Sequence, residues 1–206
     1  MGRRDRPDHY SERARREGYR ARSVYKLEEL QRRFRVLGRG MRVLDVGAAP
    51  GSWTQYALKV IGERGSVVAV DRSELPALEA IEHVEAIVGD LFDEAVVERL
   101  VGSGPYDALV SDAAPNTSGT RSLDTSRSAA LVEHVIRLCP LLLAPGANLV
   151  AKLFQGGEER ALLEEVRRLF DTGRLIKPKA SRDESFETFL VGQGFRGAPP
   201  DDRGAP

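Results

Sequence analysis

Short β-branched runs alternate with helically spaced segments along most of this chain, and that alternation limits its fold more than any other feature. The first run, Met41–Val46 (MRVLDV), closes on glycine and proline as a buried parallel strand does. It leads into a helix at Ser52–Ile61 and a second strand at Ser66–Asp71. Val84–Val88 and Asp107–Ser111 read as the third and fourth strands, with a helix at Glu94–Val101 between them. Apolar residues at helical spacing then run from Ser122 to Leu143 and stop at Ala-Pro-Gly. A fifth strand (Asn148–Leu153), a helix (Glu158–Phe170) and two terminal strands (Arg174–Ile176 and Thr188–Val191) follow, while a helix at Ser23–Phe34 precedes the series. The pattern predicts an α/β chain with a mostly parallel sheet and helices on both faces.

The chain has 206 residues, enough for one domain with a sizeable core and an extension. No apolar run approaches the roughly 20 residues that cross a bilayer. The first residues carry acids among their arginines and no apolar h-region, so neither a secretory signal nor a transit peptide is expected and the reading is cytoplasmic. Cys139 is the only cysteine, which excludes an internal disulfide and a cysteine-based zinc cluster. Its apolar surroundings mark it as a small buried hydrophobe. His9, His83 and His134 are scattered, and no metal site is expected.

A net charge of zero hides an uneven distribution. Residues 1–35 hold 12 Lys/Arg against 6 Asp/Glu, a balance of +6, so the remainder carries −6. Such a basic edge suits a polyanion, because each phosphate neutralised releases counterions. The same arginines also suit a solvated helix face with pairs such as Glu12 with Arg16, and charge alone leaves both readings open. The expected organisation is a basic extension at 1–35, a main domain at 36–195, and a disordered Pro/Gly/Asp-rich tail at 196–206.

Function is expected where the strands end. After Asp45 come Gly47, Ala48, Ala49, Pro50, Gly51 and Ser52, small residues that let a ligand approach the backbone at the crevice of a parallel sheet. The turn has neither the G-x-G-x-x-G of nicotinamide sites nor the G-x-x-x-x-G-K-[ST] of triphosphate sites. Asp45, Asp71, Asp90 and Asp112 fall at or just past successive strand ends. Asp71 can accept from ribose hydroxyls, Asp90 from an adenine amino group, and Asp112 lies where a reacting centre belongs. Each could also be an ordinary cap or turn residue. Trp53 reads as a wall of a nucleoside pocket, with a core aromatic as the alternative.

Four segments, YRARSVYKL (Tyr19–Leu27), GAAPGSW, SDAAPNTSG (Ser111–Gly119) and AKLFQG (Ala151–Gly156), closely resemble the FtsJ/RlmE family of RNA 2′-O-methyltransferases, in the same order. The likeness runs from about Asp8 to Gly194. It implies a Rossmann-like methyltransferase sheet of seven strands, S-adenosyl-L-methionine as cofactor, and methylation of a uridine ribose of 23S ribosomal RNA within the assembled large subunit. It also implies a catalytic set at Lys26, Asp112, Lys152 and Glu187, and cofactor contacts at Gly51, Trp53, Asp71, Asp90 and Asp112, with Gly47 in the glycine turn. Three positions depart from the family pattern. Ser52 stands where glycine is common, Asp71 is followed by Arg-Ser-Glu-Leu, and Phe186 precedes Glu187 where a basic residue can occur.

The chemistry implied needs a group that takes or polarises the proton of a weakly nucleophilic 2′-hydroxyl, a role for a lysine whose pKa falls through burial or a neighbouring cation. Lys152, at the end of an apolar strand, is assigned as the base. Lys26 is a second cation or hydroxyl donor, and Asp112 and Glu187 orient the ammonium groups. Without the resemblance, Lys152 reads as a snorkelling strand end and Lys26 as a helix-surface charge. The partner expected is ribosomal RNA or the large subunit, met by a monomer without membrane or metal. The rival readings are a tRNA anticodon-loop ribose methyltransferase, a noncatalytic ribosome assembly factor, and a small-molecule methyltransferase.

Overall fold

The computed structural model of the protein describes residues 9–181 and 185–197. Its strands are β1 Arg42–Val46, β2 Ser66–Asp71, β3 Val84–Val88, β4 Tyr106–Ser111, β5 Leu143–Phe154, β6 Phe170–Ile176 and β7 Glu187–Phe195. They form one seven-stranded sheet in the order β3-β2-β1-β4-β5-β7-β6. Only β7 runs against its neighbours, pairing antiparallel with β5 and β6. The helices are α1 His9–Arg16, α2 Val24–Phe34, α3 Ser52–Ile61, α4 Pro76–Glu79, α5 Glu94–Gly102, α6 Arg121–Leu142 and α7 Glu159–Leu169.

Alternation along the strands sorts the core into two layers. Leu44, Leu109 and Leu149 pack on one face with Ile136 of α6 and Val166 of α7. Val43, Val110 and Val150 pack on the other with Leu27 and Leu30 of α2 and Trp53 of α3. Burying one such side chain stabilises the fold by about 1.5–3 kcal/mol. α2 is thus a core helix, although it comes from the basic leading segment. Its far end is tied down by Gln193 Nε2 donating to Phe34 O at 2.8 Å and Asn148 Nδ2 donating to Val36 O at 2.9 Å. The charge boundary at residue 35 therefore does not coincide with a boundary in packing.

The elements differ from the sequence reading mainly at their ends. α1 and the single turn α4 were not marked by periodicity. β5 begins at Leu143, five residues before the expected Asn148, because Ala-Pro-Gly ends the helix without ending the strand. The irregularity falls instead in the β4–β5 register, between Tyr106 and Ala108. β6 and β7 are longer than predicted because their glycines are packing residues. Gly173 pairs with Gly192 across the strands, and a Cβ on Gly192 would lie 2.9 Å from the Phe170 ring.

The expectation of a disordered tail from residue 196 fails at its first position. The Arg196 N–H donates to Leu169 O at 2.9 Å and its Nε to Asp171 at 3.2 Å. Residues 198–206, like residues 1–8 of the basic segment, lie outside the described residues. Cys139 is fully buried, and burial pushes its thiol up to about 12. Among the described residues, no helix is long and apolar enough to cross a membrane and no cluster of His, Cys, Asp and Glu could hold a metal ion.

Candidate active site

Sequence order reverses between β1 and β4, and a parallel sheet opens a crevice at such a point, beyond the carboxyl ends of its strands. A cleft of about 910 Å³ lies there, lined among others by Gly47, Asp71, Asp90, Asp112, Asn116 and Arg127. That volume is in the range of pockets for cofactor-sized ligands. Gly47 has φ +75°, and a Cβ there would stand 2.5 Å from Ala113 Cα, so only glycine lets the turn after β1 pass the segment after β4. Asp71 accepts the Ala49 N–H at 3.0 Å on one oxygen and the Ser73 N–H at 2.8 Å on the other. Asp90 accepts the Phe92 N–H at 3.0 Å, with Arg72 Nε at 3.4 Å from its second oxygen.

A row of charges continues from this cleft across the sheet. Ser111 pairs with Ala151, so Asp112 and Lys152, the next residues on parallel neighbours, stand level. Lys152 Nζ donates to Asp112 O at 2.5 Å and lies 3.0 Å from Asp112 Oδ1, the latter an ion pair outside hydrogen-bond angles. On the next strand, β7, Glu187 meets Lys26 of α2 at 2.6 Å. The two lysine side chains are 12% and 11% exposed, so neither is a solvated surface charge. Burial pushes the Glu187 carboxyl up, but the charge and hydrogen bond of Lys26, with the charge of Lys152, hold it below the usual glutamate range. Burial of Glu187 suits its strand, since β7 is interior, between β5 and β6.

Asp45 is the inward member of the aspartate series. It pairs in register with Val110, two residues below Asp112 on the same face. It is fully buried, accepts the Thr54 hydroxyl at 2.6 Å on Oδ2, and its Oδ1 has no partner. Burial pushes its carboxyl up to about 7, a rise that the Thr54 hydrogen bond opposes and the charges of Asp112 and Asp71 reinforce.

Two expected cofactor residues stand apart from the cleft lining. The Trp53 indole is 2% exposed, stacks on Phe189 at 5.9 Å and donates to Ser23 O at 3.0 Å. The indole joins α3 to α2 and does not line the cleft. Gly51 has φ +104°, and a Cβ there would meet Leu78 at 2.8 Å, so it serves the turn and the seating of α4. What this segment offers a ligand is backbone, since the first N–H groups of α3 have no acceptor within the helix. The structure adds Asn116 and Arg127, which sequence reasoning passed over. Arg127 and Leu131, four apart on α6, both line the cleft, and that i, i+4 spacing was the available signal.

Comparison with known proteins agrees with this geometry. Residues 19–195 match the family described as FtsJ-like methyltransferase. A Treponema denticola protein named Ribosomal RNA large subunit methyltransferase E is 44% identical over 191 residues, covering 93% of this chain and 96% of that protein. A namesake from Syntrophobacter fumaroxidans is 45% identical over 195 residues, covering 92% and 96%. Among solved structures, a candidate ribosomal RNA methyltransferase from Plasmodium falciparum superposes with a TM-score of 0.76 at 24% identity, covering 87% of this chain and 100% of that one. Aeropyrum pernix fibrillarin, crystallised with natively bound S-adenosyl-L-methionine, superposes with a TM-score of 0.57 at 14% identity, covering 76% and 68%. At these identities the two structural likenesses concern the fold.

Proposed function

The chain belongs to the FtsJ-like methyltransferase family, and from that premise we propose that it methylates a uridine ribose 2′-hydroxyl of 23S ribosomal RNA, using S-adenosylmethionine and acting on the assembled large subunit. The observation that carries the reaction is the meeting of Lys26, Asp112, Lys152 and Glu187, from four separate elements, beside an open cleft. The names of the relatives support the RNA class. The protein acts as a monomer in the cytoplasm, where ribosomes are, with the basic segment at 1–35 gripping RNA.

The cleft fits the cofactor. Asp71 and Asp90 line it and retain acceptor capacity for ribose hydroxyls and an adenine amino group, and Asp45 Oδ1 is buried without a partner. Backbone N–H groups at the start of α3 suit a carboxylate. When bound, S-adenosylmethionine supplies a methyl group on a positively charged sulfur that leaves neutral.

The residues of the chain do the rest. Asp112, which lines the cleft, fixes the Lys152 amine through its carboxylate and its carbonyl. Lys152, once its ammonium has given a proton to water, takes the proton of the ribose hydroxyl on the freed lone pair as the oxygen attacks the methyl carbon, which restores the ammonium beside Asp112. Lys26, held by Glu187, supplies a second hydrogen-bond donor to the ribose. Orientation of this kind can lower a barrier by roughly 7–11 kcal/mol. The test is transfer of labelled methyl to large subunits from cells lacking the protein, beside free tRNA, with nuclease mapping. Label on a single ribose of large-subunit RNA is expected. Label on tRNA alone would contradict the substrate, and none on either would contradict the reaction.

A further inference from the structure

Beyond the charged row, on the side away from β1, two aromatic rings and a guanidinium meet. Phe186 stands directly before Glu187, and its ring approaches that of Phe154 edge-on at 4.9 Å, with the planes inclined by 63°. The Arg121 guanidinium, from the first turn of α6, lies 5.3 Å from the centre of the Phe186 ring. Phe154 pairs with Glu187 across β5 and β7 and shares a face of β5 with Lys152, two residues earlier. Both rings are half-buried and Arg121 is exposed.

The segments carrying this group are held in place. Asp124 accepts the Ser118 N–H at 2.7 Å, the Ser118 hydroxyl at 2.8 Å and the Gly119 N–H at 3.2 Å, fixing the turn that leads into Arg121. The Gln155 N–H donates to Phe186 O at 2.8 Å, extending the β5–β7 ladder past Glu187. The rings are therefore presented beside the charged row on backbone held by hydrogen bonds. Nothing in the methyl-transfer step uses them.

We propose that Phe186, with Phe154 and Arg121, is the platform on which the nucleobase of the target nucleotide stacks. The inference rests on the RNA methylation reading and adds the position of the base to it. A base leaves the ribose from the carbon next to the one bearing the 2′-hydroxyl. Holding that hydroxyl at Lys152 therefore lays the base against the surface adjoining the row, and that surface is aromatic and cationic. Exposed aromatic faces and guanidinium planes receive bases by stacking and cation–π attraction, and they do so only for a nucleotide splayed out of its own stack. The platform thus selects an unstacked nucleotide in preference to one in a continuous helix.

Two measurements test it. Steady-state methylation of large subunits is compared for wild type, Phe186→Ala and Phe186→Tyr, and binding of S-adenosylhomocysteine is measured by calorimetry. Stacking on an aromatic predicts that Phe186→Ala raises KM for subunits by about 5- to 150-fold. It leaves kcat and S-adenosylhomocysteine affinity unchanged, and Phe186→Tyr restores KM. A loss in kcat at unchanged KM would overturn the proposal and leave Phe186 as a mere support for Glu187. The second probe needs no catalysis: an oligouridylate with one central 2-aminopurine, whose fluorescence falls when the base stacks. Quenching by wild type that Phe186→Ala abolishes supports the platform even if no methyl is transferred. Methylation with wild-type kinetics in Phe186→Ala, without Phe186-dependent quenching, refutes the platform while the reaction stands.

Discussion

Asp71 and Asp90 on one side of the sheet, and Lys152 and Glu187 on the other, stand at the same rim but are held in different ways. On the β3-β2-β1 side the carboxylates are fixed by backbone N–H groups and face an open cleft. On the β4-β5-β7 side each charge is matched by an opposite side chain within 3.0 Å and is largely withdrawn from water. A carboxylate with about four acceptor sites that spends them on two N–H groups keeps capacity for a ligand. A charge that spends itself on its neighbour keeps a fixed position instead. One half therefore keeps acceptors free, and the other keeps its charges in place, which under the proposed function divides binding from the holding of reacting atoms.

The largest effect expected outside the reacting row comes from Asp45, where the two halves join. Its carboxyl is raised to about 7 from 3.8, so between those values the folded state keeps a proton that the unfolded chain releases. Stability is full below the lower value and falls as pH rises to the upper, by on the order of 4 kcal/mol. Urea unfolding of wild type and Asp45→Asn across pH 4 to 8 checks this; the variant should lack that slope, and parallel curves would contradict it.

Removing one partner on the paired side comes next. Lys26→Met leaves Glu187 buried without its cation and should destabilise the fold by about 1–3 kcal/mol, less than for a fully buried pair because the side chains are 12% and 10% exposed. The Glu187 carboxyl is lowered, so the pair's contribution is present above the ordinary glutamate value near 4.5 and is lost as pH falls through the lower folded value. The double variant Lys26→Met/Glu187→Gln should recover most of the loss. If it does not, the pair is more than charge compensation.

On the open side, Asp71→Ala should weaken S-adenosylmethionine binding by about 10- to 100-fold, with kcat at saturating cofactor unchanged. Calorimetry and saturation kinetics separate these, and a fall in kcat at saturation would erase the division between halves. The smallest effect belongs to Arg99 and Glu85, whose side chains are 54% and 37% exposed. Arg99→Ala should change stability by less than about 0.5 kcal/mol in chemical denaturation.

Much of this arrangement could be read before folding, and for identifiable reasons. Strand runs ending at Asp71 and just before Asp112 placed both residues at the rim because parallel strands share one C-terminal edge. Lys26 and Glu187 were different. They lie 161 positions apart in number, and only the antiparallel insertion of β7 beside β5 and the packing of α2 over that face bring them together. Composition could not show this, and the resemblance supplied it. For Trp53 the sequence left a pocket wall and a core aromatic open, because an aromatic beside a glycine turn suits both, and its packing against Phe189 comes from a strand 136 positions away in number. The expected strand Thr188–Val191 stops short of Gly192, whose role is to make room for Phe170, a residue outside that run.

The most direct test of the central claim is Lys152→Ala assayed for labelled methyl transfer to large subunits, with S-adenosylhomocysteine binding measured on the same preparation. The account predicts a loss of about 100- to 10,000-fold in transfer with binding intact. Transfer at near the wild-type rate, with binding equally intact, would contradict it.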